Sequence, residues 1–384
     1  MQLNSLDIHN FRNISKARLS DLGPVNLIHG LNGSGKTSVL EAVYSLSMTR
    51  SFRTRKTKLV IREGERDFIV RGLISALGET DYSLGVRRSL DDKSLVKVSG
   101  EAVRSFGQLA GLLPVQLINP DSFDLLEGGP GNRRQFLDWP MFHVKHSGFF
   151  EAWSRYRKAL SQRNALLRRG KMGAEIEPWS MELVRHGKTL DEIRRSSFNA
   201  VAPVFDLVCQ RLGESTVLGA DDGERPAAEN PFSELKLDYQ PGWDQGISDF
   251  ELALSQALEG DVRQGFTRVG PHRADVKLKI GRVDAAERLS RGQIKTVVCA
   301  LKIAQAKWLK EEHNIDSVFL IDDIAAELDQ YRRAALIEQI LDVASQVFAT
   351  SIEPSELDSS WFQGRQIKRF HVEHGVVNPV ATTE

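Results

Sequence analysis

The chain is poor in cysteine. Cys209 and Cys299 stand far apart in apolar surroundings, which excludes a disulfide framework and a cysteine-built metal cluster. Neither charge is in excess, because 51 lysines and arginines balance 51 aspartates and glutamates. Any surface for a polyanion must therefore be local. No apolar run approaches the length that spans a bilayer, and "MQLNSLDIHNFRN" has neither the basic start nor the apolar core of a signal peptide. Internal repeats and low-complexity tracts are also missing. These absences predict a soluble cytoplasmic protein with no membrane partner. Its 384 residues have room for two or three domains, or for one large domain with an insertion.

What is present divides the chain in three. Up to about Leu125 short β-branched or alternating runs ("LNSLDIHNF", "FIVRGLISAL", "YSLGVRR", "LVKVSG") predict strands, interrupted by one helix after Lys36. From Phe149 to about Leu212 the spacing is helical, with a break at "GKMGAEIEP", and reads as a helical hairpin. "ELKLDY" is a candidate strand and "DFELALSQAL" a short helix. After Gly265 strands and helices alternate again. The expected architecture is α/β: a mixed sheet with flanking helices formed by residues 1–126 and 265–384, carrying a mainly helical lobe inserted at 127–264.

Two motifs carry chemistry. In "LIHGLNGSGKTSVLEAVYSL", Gly30, Gly35, Lys36 and Thr37 fit G-x-x-x-x-G-K-[ST] between an apolar strand and an amphipathic helix. Such a loop (Gly30, Asn32, Gly33, Ser34, Gly35, Lys36, Thr37 and Ser38) turns backbone N–H groups and a helix N-terminus toward phosphates. Lys36 reaches the β- and γ-phosphates of a nucleotide, and Thr37 ligates Mg²⁺. In "VFLIDD" a buried parallel strand ends in Asp322 and Asp323, where ligands bind in open α/β sheets. Asp322 is the candidate second metal ligand, and Asp323 the group that orients or deprotonates the attacking water. Each aspartate is also compatible with an ordinary strand end or helix cap.

A third element decides the class. "RLSRGQIKTVVCALKIAQAKW" places Ser290, Gly292 and Gln293 directly before a helix, and it resembles the signature motif of the ABC-type ATPases. "IAAELD", ending at Asp329, resembles their D-loop. Read alone, Ser290 fits an ordinary N-cap and Gly292 an ordinary turn residue better than a binding motif. With P-loop, signature and "LIDDIAAELD" in order, the chain resembles the RecF family of bacterial ATP-dependent DNA gap-repair proteins. "LDIHNFRN", "SMTRSFRTRK", "INPDSFDLLEGGPGNRRQFLDW", "YRKALSQRNALLRRG" and "TRVGPHRAD" resemble further stretches of that family.

The resemblance implies an ABC-type head like that of the SMC proteins, with a compact lobe where those carry long coiled coils. It implies an ATP-dependent homodimer in which the signature of one subunit closes over the P-loop nucleotide of the other. It also implies weak, DNA-stimulated ATP hydrolysis and binding of gapped DNA at boundaries of single and double strand. The implied partners are RecR and RecO, and through them RecA, in repair, replication, recombination and the SOS response.

Some residues stay open at this level. Arg50, Arg53, Arg55, Lys56 and Lys58 form an acid-free basic run suited to DNA phosphates, as does the stretch from Arg155 to Lys171; each also suits a merely solvated face. Gln116 is the candidate glutamine linking nucleotide to the inserted lobe, or a strand residue with ordinary hydrogen bonds. Where transporter-type ABC ATPases carry a catalytic Glu and a switch His, this chain has Asp323 and the Thr350-Ser351 pair, which predicts slow hydrolysis. His272 is expected to be a turn residue satisfied by backbone groups. A P-loop kinase, a transporter's ATPase subunit and a clamp that binds ATP without hydrolysing it are the rival readings.

Overall fold

The computed structural model describes residues 1–75, 80–103, 111–144, 147–218, 230, 232–247, 249–323, 330–356, 359–362 and 364–380. The chain divides into two compact units. The first comprises Met1–Phe123, Val208–Pro231 and Arg291–Glu384, and the second Asp124–Leu207 and Phe232–Ser290.

In the first unit, strands β1 (Gln2–Phe11), β2 (Ile14–Leu19), β4 (Asp67–Ser75), β5 (Tyr82–Ser89), β6 (Ser94–Val98) and β7 (Glu101–Ala102) form an antiparallel sheet in the order β2-β1-β4-β5-β6-β7. β4 alternates buried and more open positions, as a sheet with one covered face requires. The second sheet has the order β15-β14-β3-β13-β12-β8, from β3 (Val25–His29), β8 (Val115–Ile118), β12 (Ser317–Ile321), β13 (Ala344–Ser351), β14 (Ile367–Glu373) and β15 (Val376–Val380). Five of its strands run parallel, and only β15 pairs antiparallel. Every residue of β12 is buried, as expected for a strand covered on both faces.

Helix α1 (Lys36–Met48) packs against strands of both sheets, which explains why it is buried nearly all round, with Ser38, Glu41, Ser45 and Ser47 as well as its apolar residues out of solvent. Leu40, Val43 and Leu46 are fully buried, each worth about 1.5–3 kcal/mol of transfer free energy. Two buried amides tie remote segments together. Gln346 accepts from the Leu3 N–H at 2.9 Å and donates to the carbonyls of Leu3 and Gly23. Asn26 exchanges hydrogen bonds with Gly23.

The second unit holds helices α2 (Pro130–His143), α3 (Phe149–Leu167), most of α4 (Glu177–Leu218) and α5 (Phe250–Gln264). It also holds a three-stranded sheet, β11-β10-β9, formed by β9 (Leu235–Gln240), β10 (Asp275–Ile280) and β11 (Val283–Asp284). The expected return to the head at residue 265 is therefore corrected to Arg291. β10 pairs with β9 from Asp275↔Gln240 to Ile280↔Leu235, and backbone hydrogen bonds over that length hold 275–284 in the second unit. Three buried ion pairs hold it too. Arg133 meets Asp275 at 2.7 and 3.0 Å, Arg194 meets Asp138 at 2.7 and 2.9 Å, and Arg163 meets Asp261 at 2.8 Å. Arg163 thus leaves the basic surface expected of 155–171, because its guanidinium is 1% exposed. A groove of about 840 Å³, with Arg195, Leu237 and Trp243 on its walls, opens in this unit; no residue of the expected ATP site lines it.

The first unit is completed by α6 (Arg291–His313) and α7 (Gln330–Val343), whose apolar faces cover the parallel sheet. Among the described residues no helix is long and apolar enough to cross a membrane.

Candidate functional site

Three adjacent parallel strands deliver the site. β13 lies between β3 and β12, so the P-loop that follows His29, the Thr350-Ser351 end of β13 and the aspartates that follow Ile321 share one edge of the sheet. The Thr37 hydroxyl donates to Asp322 across Oδ1 and Oδ2, at 3.0 and 3.1 Å. Thr350 Oγ1 donates to Asp322 Oδ1 at 2.8 Å and accepts the Asp323 backbone N–H at 2.9 Å. One threonine hydroxyl therefore spans both aspartates. Asp323 sits in the left-handed region at φ 55, a conformation that costs a residue with a Cβ roughly 1 kcal/mol or more.

Burial raises the Asp322 pKa above its ordinary value. The Thr350 and Thr37 hydrogen bonds oppose that shift, Asp323 adds to it, and the Arg53 guanidinium opposes it. A residue of the basic run thus acts electrostatically on the candidate metal carboxylate. Thr37 hydroxyl and Asp322 carboxylate are hard oxygen donors of the kind Mg²⁺ takes, so the residues present fit that ion. Among the described residues there is no cluster of three or more His, Cys, Asp or Glu side chains that could hold a metal.

The P-loop is built from below. Gly30 has φ 152, and a Cβ there would run into the Val372 carbonyl of β14. Lys36 is 8% exposed, and its ammonium donates to the Gly30 and Leu31 carbonyls at 2.6 and 3.1 Å. Asn32 and Gly33 are exposed at the loop tip, while Ser34 and Gly35 are buried. Ser38, expected to touch nucleotide, turns its hydroxyl to Asn13 Oδ1 at 3.1 Å. Asn13 in turn donates to the Ser34 carbonyl at 2.9 Å, and the Gly375 N–H donates to the same oxygen at 2.8 Å. Arg12, beside Asn13, pairs with the fully buried Glu41 of α1 at 2.7 and 2.9 Å. Asn13, Arg12, Glu41 and Gly375 are the supports that sequence reasoning missed. The "HNFRN" stretch was the signal for two of them.

Other expected residues stand elsewhere. Gln116 is buried within edge strand β8, and its amide donates to Gln305 of α6 at 3.1 Å. The strand orientation turns that side chain onto α6, a contact of the ordinary kind that the strand alternative expects. Ser290 is exposed directly before α6, with Gly292 and Gln293 in the first turn. A Cβ on Gly292 would stand 3.0 Å from the Arg332 guanidinium of α7. Asp329 lies outside the described residues. Arg50, Arg53, Arg55, Lys56 and Lys58 are all exposed. His272 Nε2 meets the Thr267 carbonyl at 2.9 Å and Nδ1 meets the Tyr156 hydroxyl at 2.7 Å. The backbone carbonyl is the kind of partner its sequence context suggested, and the Tyr156 hydroxyl is one it did not.

Residues 2–377 match the family model described as the RecF/RecN/SMC N terminal domain. The DNA replication and repair protein RecF of Shewanella oneidensis is 39% identical over 380 residues, covering 99% of this chain and 100% of that protein. Its counterpart in Pseudomonas aeruginosa is 40% identical over 383 residues, covering 100% and 99%. Among solved structures, the recombination mediator protein RecF with ATP in the RecFOR pathway superposes with a TM-score of 0.81 at 27% identity, covering 99% of this chain and 97% of that one. An SMC head bound to the C-winged helix domain of ScpA shares the fold, with a TM-score of 0.55 at 14% identity, covering 100% and 98%.

Proposed function

Since the chain belongs to the RecF family, we propose that it is an ATP-dependent DNA clamp of recombinational repair. In this reading it dimerises on ATP and binds gapped DNA where single strand meets double strand. With RecR and RecO as partners it helps load RecA, and slow hydrolysis to ADP and phosphate resets it. The observation that carries this reading is the Thr37–Asp322–Thr350 cluster at the ends of three neighbouring parallel strands beside Lys36.

Thr37 and Asp322 would hold Mg²⁺, which when bound supplies positive charge to the phosphates during phosphoryl transfer. Lys36 binds the phosphates, and Asp323 orients or deprotonates the attacking water. Ser290, Gly292 and Gln293 of one subunit close over the P-loop of the other, using a helix N-terminus to meet phosphate. Arg50, Arg53, Arg55, Lys56 and Lys58 contact DNA phosphates, and their exposure supports that role.

Sedimentation velocity with Mg²⁺ and either ATP or ADP tests the clamp. The wild-type protein is expected to dimerise with ATP alone, Lys36→Ala and Ser290→Arg to stay monomeric, and Asp323→Asn to accumulate the dimer. Dimers of normal stability in Ser290→Arg would refute the composite site.

A further inference from the structure

The outer flank of α3 combines features the ATP site does not use. Phe150, Trp153, Arg157, Ser161 and Arg168 follow one another at spacings that keep them on one side of a helical path about 27 Å long. The opposite stripe, with Phe149, Ala152, Tyr156, Ala159 and Arg163, is buried. At the N-terminal end, the Phe150 and Trp153 rings are stacked at 26° with centroids 6.3 Å apart. Phe142 of α2 stands edge-on to Trp153 at 5.3 Å. Phe142, Phe150 and Trp153 all stay partly exposed, and the Arg157 guanidinium lies over the Trp153 ring at 4.6 Å.

Charge decides what such a patch faces. From Arg155 to Lys171 the chain has seven basic residues and no acid, and only Arg163 among them is buried. Arg155 pairs with Glu151 and Lys171 with Glu175, whereas no ion pair ties Arg157, Lys158, Arg168 or Arg169 to a carboxylate among the described residues. An apolar protein partner is matched by the rings but not by the cations, and a duplex is matched by the cations but keeps its base faces stacked inside. Aromatic faces next to unpaired arginines suit an unstacked polynucleotide, whose bases lie on the rings while its phosphates meet the guanidinium groups.

We propose that this flank of α3 is a single-strand-binding platform, with Trp153 and Phe150 as the base-stacking surface and Arg157 and Arg168 as phosphate contacts. It rests on the DNA-binding reading above and names the part of the molecule that receives the unpaired strand. No base identity is read, because every base presents a π-face.

Fluorescence anisotropy with labelled oligothymidylate and, separately, with blunt duplex tests it at one fixed salt concentration. Trp153→Ala is expected to weaken single-strand binding about tenfold and duplex binding less than about twofold; Trp153→Phe should restore most of the loss, since it keeps a π-face. Arg157→Gln, at an exposed position, should also weaken single-strand binding and flatten its salt dependence. Equal losses for both DNAs, or no loss in any of the three variants, would overturn the platform while leaving the clamp reading intact. Wild-type protein that binds neither DNA, with ATP present, would overturn both. A gain of single-strand binding in Trp153→Ala would point to a protein-docking face and likewise refute it.

Discussion

Thr350 donates its hydroxyl proton to Asp322 at 2.8 Å and accepts the N–H of Asp323 at 2.9 Å, so the strand between the P-loop and the aspartates holds the Asp322 carboxylate and the Asp323 backbone. Replacing Thr350 with Val keeps shape and removes both bonds. A hydrogen bond to a charged group is worth about 1.5–3 kcal/mol, so ATP turnover should fall roughly ten- to hundredfold while ATP affinity changes little. Thr350→Ser should restore turnover in a steady-state assay. Equal loss in both variants would mean that the methyl group, not the hydroxyl, matters.

Asp322 carries its charge against its surroundings. Its pKa is raised, chiefly by burial, so between the ordinary carboxylate value and the raised one the folded protein binds more protons than the unfolded chain. Stability contributed by this group therefore increases as pH falls through that window, and at neutral pH the buried charge is a cost. Asp322→Asn should melt about 2 °C or more above wild type without nucleotide and lose Mg²⁺-dependent ATP hydrolysis. Scanning fluorimetry across pH should show the two melting curves converging in acid.

His272 gives the opposite slope. Burial depresses its pKa from 6.5 to about 4, so below 6.5 the unfolded chain takes up a proton that the folded one refuses. Stability is expected to decline as pH falls from 6.5 toward 4, at about 1.4 kcal/mol per pH unit. His272→Gln should remove that slope from thermal unfolding followed by tryptophan fluorescence. Parallel decline in both proteins would assign the acid sensitivity to other groups.

Glu41 is fully buried and bidentate with Arg12, on the turn that carries Asn13 to the P-loop carbonyls. Glu41→Ala leaves the partly exposed Arg12 guanidinium with the Leu59 carbonyl but no carboxylate, and should cost about 1.5–3 kcal/mol in chemical denaturation, with weaker ATP binding as the brace loosens. Arg12→Met combined with Glu41→Leu should recover most of the stability, because it removes both charges.

Local pattern was enough to read the P-loop, the buried strand before Asp322, the α3–α4 helical hairpin and the helix after Gly292. Each depends on interactions within a few residues: periodicity, glycine spacing and turn chemistry. Gln116 shows the limit. Its sequence fits a linking glutamine and a strand glutamine alike, and that its amide meets Gln305 of α6 is visible only in the tertiary structure. The lobe boundary at 265 failed for a related reason, since β10 owes its place to pairing with β9, about forty residues earlier in the chain.

The sequence by itself determined which groups are the candidates for phosphate and metal, because Gly-x-x-x-x-Gly-Lys-Thr and paired aspartates carry their chemistry in residue type and spacing. Tertiary structure alone decided that β13 threads between β3 and β12, that Thr350 therefore joins Thr37 and Asp322, and that Asn13 and Gly375 hold the loop from outside. Those relations join residues up to 341 positions apart, and strand order in a parallel sheet is set by packing of the whole core rather than by any local pattern.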